Sequence, residues 1–240
     1  MKIAIAHLGN MSQILPSTSV LQGIRKHSVD TEITWVVREE KLVYFSKYIK
    51  AIDKTLTFPE FNQLGKHYDL FINLFPYYPA FVKGNFTANE KWGLECNSRW
   101  DEFRNVLLGE EVCDITLFQL YYLLAGLTWK GEGYDLGYYP RTRSKRNKIG
   151  VSVANANLRN YVLEHLHVEG KVWYVPYKKN IFKRMDEINR CSKIITDDML
   201  TFHLAVALRK YVYFLQTYPI NYKLEFFSKG QIHKVPTGVL

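Results

Sequence analysis

Cysteine is scarce in this 240-residue chain: Cys96, Cys113 and Cys191 are all it has. They are odd in number and far apart, and no pair has metal-ligand spacing. Neither a disulfide-stapled secreted domain nor a zinc module is expected. Long apolar runs are missing as well. The nearest, 117–127, is far shorter than the roughly 20 residues a membrane-spanning helix needs. Met1-Lys2 leads straight into an apolar strand pattern, without the charged-then-apolar profile of a signal peptide. Short-period repeats, low-complexity tracts and an Asp-x-Asp pair placed to bridge a metal and phosphates are also absent. The expectation is a reduced, cytoplasmic protein, any membrane contact being peripheral at the inner face.

What is present supports a large core. Hydrophobic residues make up 47% of the chain and aromatics 15%, which excludes disorder on composition. The formal net charge is +9, which favours anionic partners such as nucleotide phosphates or an anionic membrane face. Part of it is concentrated in Arg141-Thr142-Arg143-Ser144-Lys145-Arg146-Asn147-Lys148. That run reads first as a solvated hinge and second as an aid to binding an anionic glycolipid or nucleotide. A nucleic-acid patch comes last, because no nucleic-acid module accompanies it. Lys41, Lys47, Lys50 and Lys54 could extend a positive face in the first half.

Strand and helix patterns alternate in both halves. The expected elements of the first half are strand 2–7, helix 14–26, strand 31–37, helix 42–48, strand 54–58, helical turn 61–66 and strand 69–75, the last apolar on both faces. Residues 76–113, opening with the Pro76-Tyr77-Tyr78-Pro79 turn, read as loop and short elements. Asp114 is expected to cap a helix over 115–124 that ends at Gly126. Beyond the basic run come strand 148–153, helix 158–166, strand 171–175, helix 181–190, strand 193–196, helix 201–209 and strand 211–215. Helices between successive strands imply parallel sheets in both halves.

Two strand-to-helix turns carry the residues with chemical potential. The first is Ile3-Ala4-Ile5-Ala6-His7-Leu8-Gly9-Asn10-Met11-Ser12-Gln13, where a helix N-terminus offers N–H groups and partial positive charge to an anion. The second is Lys193-Ile194-Ile195-Thr196-Asp197-Asp198-Met199-Leu200-Thr201-Phe202-His203. Here Asp198 either caps the helix or binds sugar hydroxyls, and His203 either packs against the helix or lies near a diphosphate. A third turn, Ser152-Val153-Ala154-Asn155-Ala156-Asn157-Leu158-Arg159, places Arg159 either in solvent or as a phosphate clamp.

The segment Asp198-Met199-Leu200-Thr201-Phe202-His203-Leu204-Ala205-Val206-Ala207-Leu208 resembles the Asp–x–x–x–x–His–Leu–Ala–x–Ala–Leu signature of glycosyltransferase family 9, the lipopolysaccharide heptosyltransferases. The opening strand, its loop and the helix carrying Leu15-Pro16-Ser17-Thr18 are similar to the family's start. The Tyr68-Asp69-Leu70-Phe71 strand and the 120–126 helix resemble further family elements. The resemblance implies an α/β, GT-B-like fold: two Rossmann-like domains whose parallel sheets face a cleft, the second domain reduced. It implies an acceptor-side domain over 1–140, a basic linker over 141–148, and a donor-side domain over 149–240.

On that resemblance the activity is metal-independent transfer of a sugar from a nucleoside-diphosphate sugar to a glycan, glycolipid or protein acceptor, with no separate cofactor. Asp198 and His203 would hold the donor together with Ser152, Asn155 and Arg159, and Gly9, Asn10 and Ser12 would line the acceptor side. The family's Gly-Asp pair, which supplies the base, falls on Ser12-Gln13, and an amide cannot accept the proton. His7 is then either the substitute base, as a His near that place serves in plant-type UDP-sugar transferases, or a residue with only a structural hydrogen bond. The Ser/Thr-Gly after the donor Asp becomes Met199-Leu200, and a Lys expected after the second domain's first strand has no counterpart. These departures leave a second reading open: a catalytically degenerate binding protein of the same fold.

Overall fold

The computed structural model describes residues 1–75, 85–94, 96, 101–145, 147–166, 170–177, 180–227, 229–236 and 239. The chain divides into two units. One comprises Met1–Gly137 with Asn221–Leu224, the other Tyr138–Ile220 with Glu225–Leu240.

The first unit is built on five parallel strands: β1 (Lys2–His7), β2 (Glu32–Val37), β3 (Lys54–Thr57), β4 (His67–Asn73) and β5 (Thr87–Gly93). Their order is β3-β2-β1-β4-β5, with Ile5 paired to both Trp35 and Ile72. β1 and β2 are buried on both faces after their first residue, which accounts for their mostly apolar content. Ala4, Ala6, Val36, Phe61, Phe71 and Phe86 form one continuous cluster on this sheet. Each large side chain buried there contributes about 1.5–3 kcal/mol.

Helix α1 (Met11–His27) starts three residues before the expected 14–26 segment, because Asn10 and Gln13 form a capping box. Pro16 lies inside it and removes the N–H that the Ser12 carbonyl would otherwise accept. Arg25, Lys26 and His27 close the last turn, where positive charge complements the helix dipole. Helices α2 (Glu40–Ser46) and α3 (Phe58–Leu64) follow β2 and β3.

Within the stretch expected as loop and short elements, the structure places β5 and α4 (Asp101–Leu108). β5 escaped notice because it is an edge strand whose residues are mostly exposed and polar, so no alternation marks it. The expected turn at Pro76–Pro79 lies outside the described residues. Thr116, rather than Asp114, caps α5 (Leu117–Leu124): its hydroxyl accepts from Gln119 N at 3.2 Å, and Gln119 Oε1 accepts from Thr116 N at 2.8 Å.

The second unit holds β6 (Lys148–Ser152), β7 (Lys171–Tyr174), β8 (Lys193–Thr196), β9 (Tyr211–Gln216) and β10 (Gly230–Lys234), all parallel, in the order β10-β9-β8-β6-β7. Helices α6 (Ala156–His165), α7 (Ile181–Asn189) and α8 (Met199–Ala207) connect them. β10 had no sequence expectation; like β5 it is a largely exposed edge strand. The basic segment lies along α7. Tyr138 Oη donates to Asp186 Oδ2 at 3.1 Å, Arg141 N to Asp186 Oδ1 at 3.1 Å, and Thr142 Oγ1 to the Asp186 carbonyl at 2.8 Å.

Both sheets are doubly wound, and each has a point where strand order reverses: between β1 and β4 in the first, between β6 and β8 in the second. Open α/β sheets bind ligands outside the carboxyl ends of the strands at such points. β1 ends at His7 and β4 at Asn73, while β6 ends at Ser152 and β8 leads into Asp197 and Asp198.

Candidate functional site

At the first switch point the β1–α1 loop is closed by its own hydrogen bonds. Asn10 Oδ1 accepts from Gln13 N at 3.2 Å and from Ser12 Oγ at 2.6 Å, and Gln13 Oε1 accepts from Asn10 N at 3.0 Å. Gly9 is required by packing: a Cβ there would sit 2.7 Å from Gln13 Oε1 and 2.9 Å from His7 Cε1. Asn73 joins the ends of β4 and β5, its Nδ2 donating to the Leu94 carbonyl at 2.8 Å.

His7 is fully buried, with Phe75 and Tyr121 rings each 5.3 Å away. The Gly9 N–H donates to Nδ1 at 3.3 Å, so Nδ1 is the acceptor and Nε2 carries the hydrogen toward Tyr121 Oη, 3.1 Å away. Burial pulls the imidazole down to about 3. The expected role of His7 as general base does not fit this geometry. Its one lone pair is occupied, and its basicity is far too low near neutral pH. Gln13 is likewise committed to the helix cap.

The second switch point is a denser polar cluster. Asp198 caps α8, its Oδ2 accepting from Thr201 N at 2.9 Å, Thr201 Oγ1 at 2.7 Å and Arg184 Nη1 at 3.1 Å. Arg184 comes from α7, also donates to the Tyr177 carbonyl at 2.8 Å, and stands 5.2 Å from the Tyr177 ring centre. The Tyr177 hydroxyl donates to Asp197 and to the Ser152 carbonyl. Thr196 Oγ1 donates to the Ser152 carbonyl at 2.9 Å and accepts from Asp198 N at 3.0 Å. Ser152 Oγ lies 3.2 Å from Thr201 Oγ1.

The electrostatics follow from burial. It raises the Asp197 carboxyl, with the Tyr177 hydrogen bond pulling the other way. It pushes the Tyr177 phenol up, and the neighbouring Asp197 pushes it further. Burial raises the Tyr218 phenol, with Asp198 and Asp197 pushing the same way, and its ring is 43% exposed.

The structure therefore brings Asp198 and Ser152 together through Thr201. His203 goes elsewhere: it is 3% exposed, packs against Phe202 at 5.2 Å, and burial pulls it down to about 3. Its expected contact with a donor does not fit that position. Asn155 caps α6, accepting from Asn157 N at 2.8 Å and Leu158 N at 3.3 Å. Arg159 lies in the second turn of the same helix, its Nε buried and without a hydrogen-bond partner among the described residues.

Sequence reasoning missed Arg184 and Tyr177. Arg184 left a signal, a cation among Phe182, Met185 and Ile188 on the buried side of α7, which demands an anion nearby. Among the described residues no group of three or more His, Cys, Asp or Glu converges as a metal site, and no helix is long and apolar enough to cross a membrane.

No family model matches the sequence, and no curated protein matches it at a significant level. Solved structures do match. A glycosyl transferase family 9 protein from Veillonella parvula is 14% identical over 98% of this chain and 86% of its own, with a TM-score of 0.66. The Escherichia coli heptosyltransferase WaaC, solved with ADP-2-deoxy-2-fluoro heptose, is 11% identical over 98% and 94%, with a TM-score of 0.65. The Escherichia coli ADP-heptose lipopolysaccharide heptosyltransferase II is 14% identical over 100% and 92%, with a TM-score of 0.64. In its fold, two doubly wound parallel sheets of GT-B type, the chain is similar to family 9 heptosyltransferases.

Proposed function

We propose that the protein is a glycosyltransferase that takes a nucleoside-diphosphate sugar at the carboxyl ends of β6 and β8. It transfers the sugar, without a metal, to a glycan, glycolipid or protein acceptor. One observation carries the reading. Asp198 is held by Arg184 and Thr201, among the described residues, through Oδ2, at the switch point of the second sheet, which leaves Oδ1 to accept from sugar hydroxyls. The Arg159 guanidinium, whose Nε has no partner among the described residues, would supply donors for the diphosphate, and Asn155 at the α6 cap would contact it. The half-exposed ring of Tyr218 offers an apolar face to the sugar or base. ADP-heptose is the first donor to test, because the structural neighbours include heptosyltransferases named for it. Gly9, Asn10 and Ser12 would contact the acceptor. A net charge of +9 suits an anionic glycolipid at a membrane surface better than it suits nucleic acid, for which no module is present.

A second reading, a nucleotide-sugar-binding protein without turnover, is favoured by the first switch point. The β1–α1 loop holds no carboxylate, Gln13 is engaged in the cap, and His7 is buried and weakly basic. Calorimetry with ADP-heptose, UDP-glucose and GDP-mannose, paired with a nucleoside-diphosphate release assay, separates the two. Binding with release supports transfer, binding alone supports the second reading, and no binding overturns both. Asp198→Asn should weaken donor affinity at least tenfold.

A further inference from the structure

At the opposite end of the second sheet from Ser152 and Asp198 lies a cavity of about 660 Å³, a volume that suits a small ligand. Arg143, Lys145, Lys148, Lys171 and Arg190 line it with Trp173. Lys148 and Lys171 begin β6 and β7 and face each other in register, and Lys193 begins β8 one register step on. Like charges placed opposite one another on neighbouring strands destabilise a sheet, so the arrangement costs stability unless an anion offsets it.

Lys148 sharpens the point. It is 9% exposed, its Nζ lies 3.5 Å from the centre of the Trp173 ring, and it makes no ion pair among the described residues. Its ammonium opens onto the cavity against the Trp173 face, a contact that offsets only part of its charge. The carboxylate that approaches this wall, Glu187, is already used: it accepts from Trp173 Nε1 at 2.9 Å and pairs with Arg190 at 3.4 Å. Among the described residues, five cations thus line one concave space, and the ion pair recorded there is Arg190 with Glu187.

We propose that this cavity is a second anion site, separate from the switch point, for a compact ligand carrying two or more phosphoryl groups. The guanidinium groups of Arg143 and Arg190 provide planar donor forks for phosphoryl oxygens, and Lys145, Lys148 and Lys171 add point charges around them. Its dimensions and closely spaced cations suit a compact polyanion, whether a free polyphosphorylated metabolite or the phosphorylated headgroup of a lipid.

The test uses the full chain at low ionic strength. Sodium tripolyphosphate is titrated by calorimetry into the wild type, into an Arg143→Ala/Lys171→Ala double variant, and into Arg159→Ala. Both substituted side chains of the double variant are exposed, so its melting temperature should match the wild type. The double variant should lose at least tenfold in affinity, while Arg159→Ala, which alters the other end of the sheet, should keep this binding event. A double variant that binds like the wild type overturns the proposal, as does loss confined to Arg159→Ala. Sedimentation with phosphatidylcholine vesicles containing phosphatidylinositol 4,5-bisphosphate, abolished in the double variant, supports the site with a headgroup as its source. Tripolyphosphate binding without such sedimentation supports it with a free ligand. A twenty-nucleotide oligothymidylate that binds a hundredfold tighter than tripolyphosphate, and loses that binding in the double variant, overturns the compact-ligand assignment.

Discussion

Arg184 Nη1 lies 3.1 Å from Oδ2 of Asp198, with the arginine side chain 4% exposed and the carboxylate 23% exposed. The pair ties α7 to the start of α8 and holds the carboxylate at the end of β8. Its two partners are not equivalent. Removing the carboxylate strands a buried guanidinium, whose Nε already lacks a partner among the described residues, and also deletes the α8 cap. Asp198→Ala should therefore cost about 3–5 kcal/mol in urea unfolding. Asp198→Asn keeps a cap acceptor and should cost clearly less. Equal costs would show that the charge pair contributes nothing.

Acid should destabilise the protein through two histidines. His7 and His203 are both pulled down to about 3 by burial, from 6.5. The unfolded chain then binds protons below pH 6.5 that the folded chain refuses. The stabilisation is complete above pH 6.5 and is lost progressively as pH falls toward 3, by about 1.4 kcal/mol per pH unit for each histidine. Between pH 7.0 and 5.5, unfolding free energies of the wild type should fall by about 1.4 kcal/mol more than those of His203→Leu. Parallel pH profiles would place His203 in contact with water.

Much of this architecture was legible from apolar strands and small-residue turns. β1, β2, β6 and β8 announce themselves because burial on both faces calls for mostly apolar or small residues along the strand. β5 and β10 were invisible for the converse reason: at a sheet edge, backbone pairing holds a strand whose side chains face water. At the sites, sequence could point to Asp198 and to the Asn10–Gln13 loop but not to what surrounds them. Arg184 reaches Asp198 from 14 residues away, and Tyr121 reaches His7 from 114 away. The imidazole's low basicity arises from that long-range packing, which local sequence does not encode.

Gly93 should be intolerant of any side chain. Its φ is +84°, and a Cβ would fall 2.1 Å from the Asn73 carbonyl oxygen at the end of β4. Gly93→Ala combines left-handed strain with a backbone clash and should cost about 3 kcal/mol or more. Gly131 is the control, with φ +90° and nothing within 4 Å of a built Cβ. Gly131→Ala carries the strain alone and should cost about 1 kcal/mol. Thermal unfolding of the two variants against the wild type reads the difference.

Gln13 decides between transfer and binding, because it occupies the place where family 9 resemblance expects a carboxylate. Its amide oxygen accepts from Asn10 N at 3.0 Å in the third position of α1. Gln13→Asp puts an anion into the first turn of a helix that has none there, where the dipole favours it by about 0.3–1 kcal/mol. Stability should therefore hold even if the shorter side chain reaches Asn10 less well. The same carboxylate can accept a proton from an acceptor hydroxyl, and positioned general bases are worth roughly 10²–10⁴ in rate. If the missing base is what limits the wild type, nucleoside-diphosphate release by Gln13→Asp should rise at least tenfold, with donor affinity unchanged. Release that stays at the wild-type rate in a stably folded variant would assign proton transfer to another group.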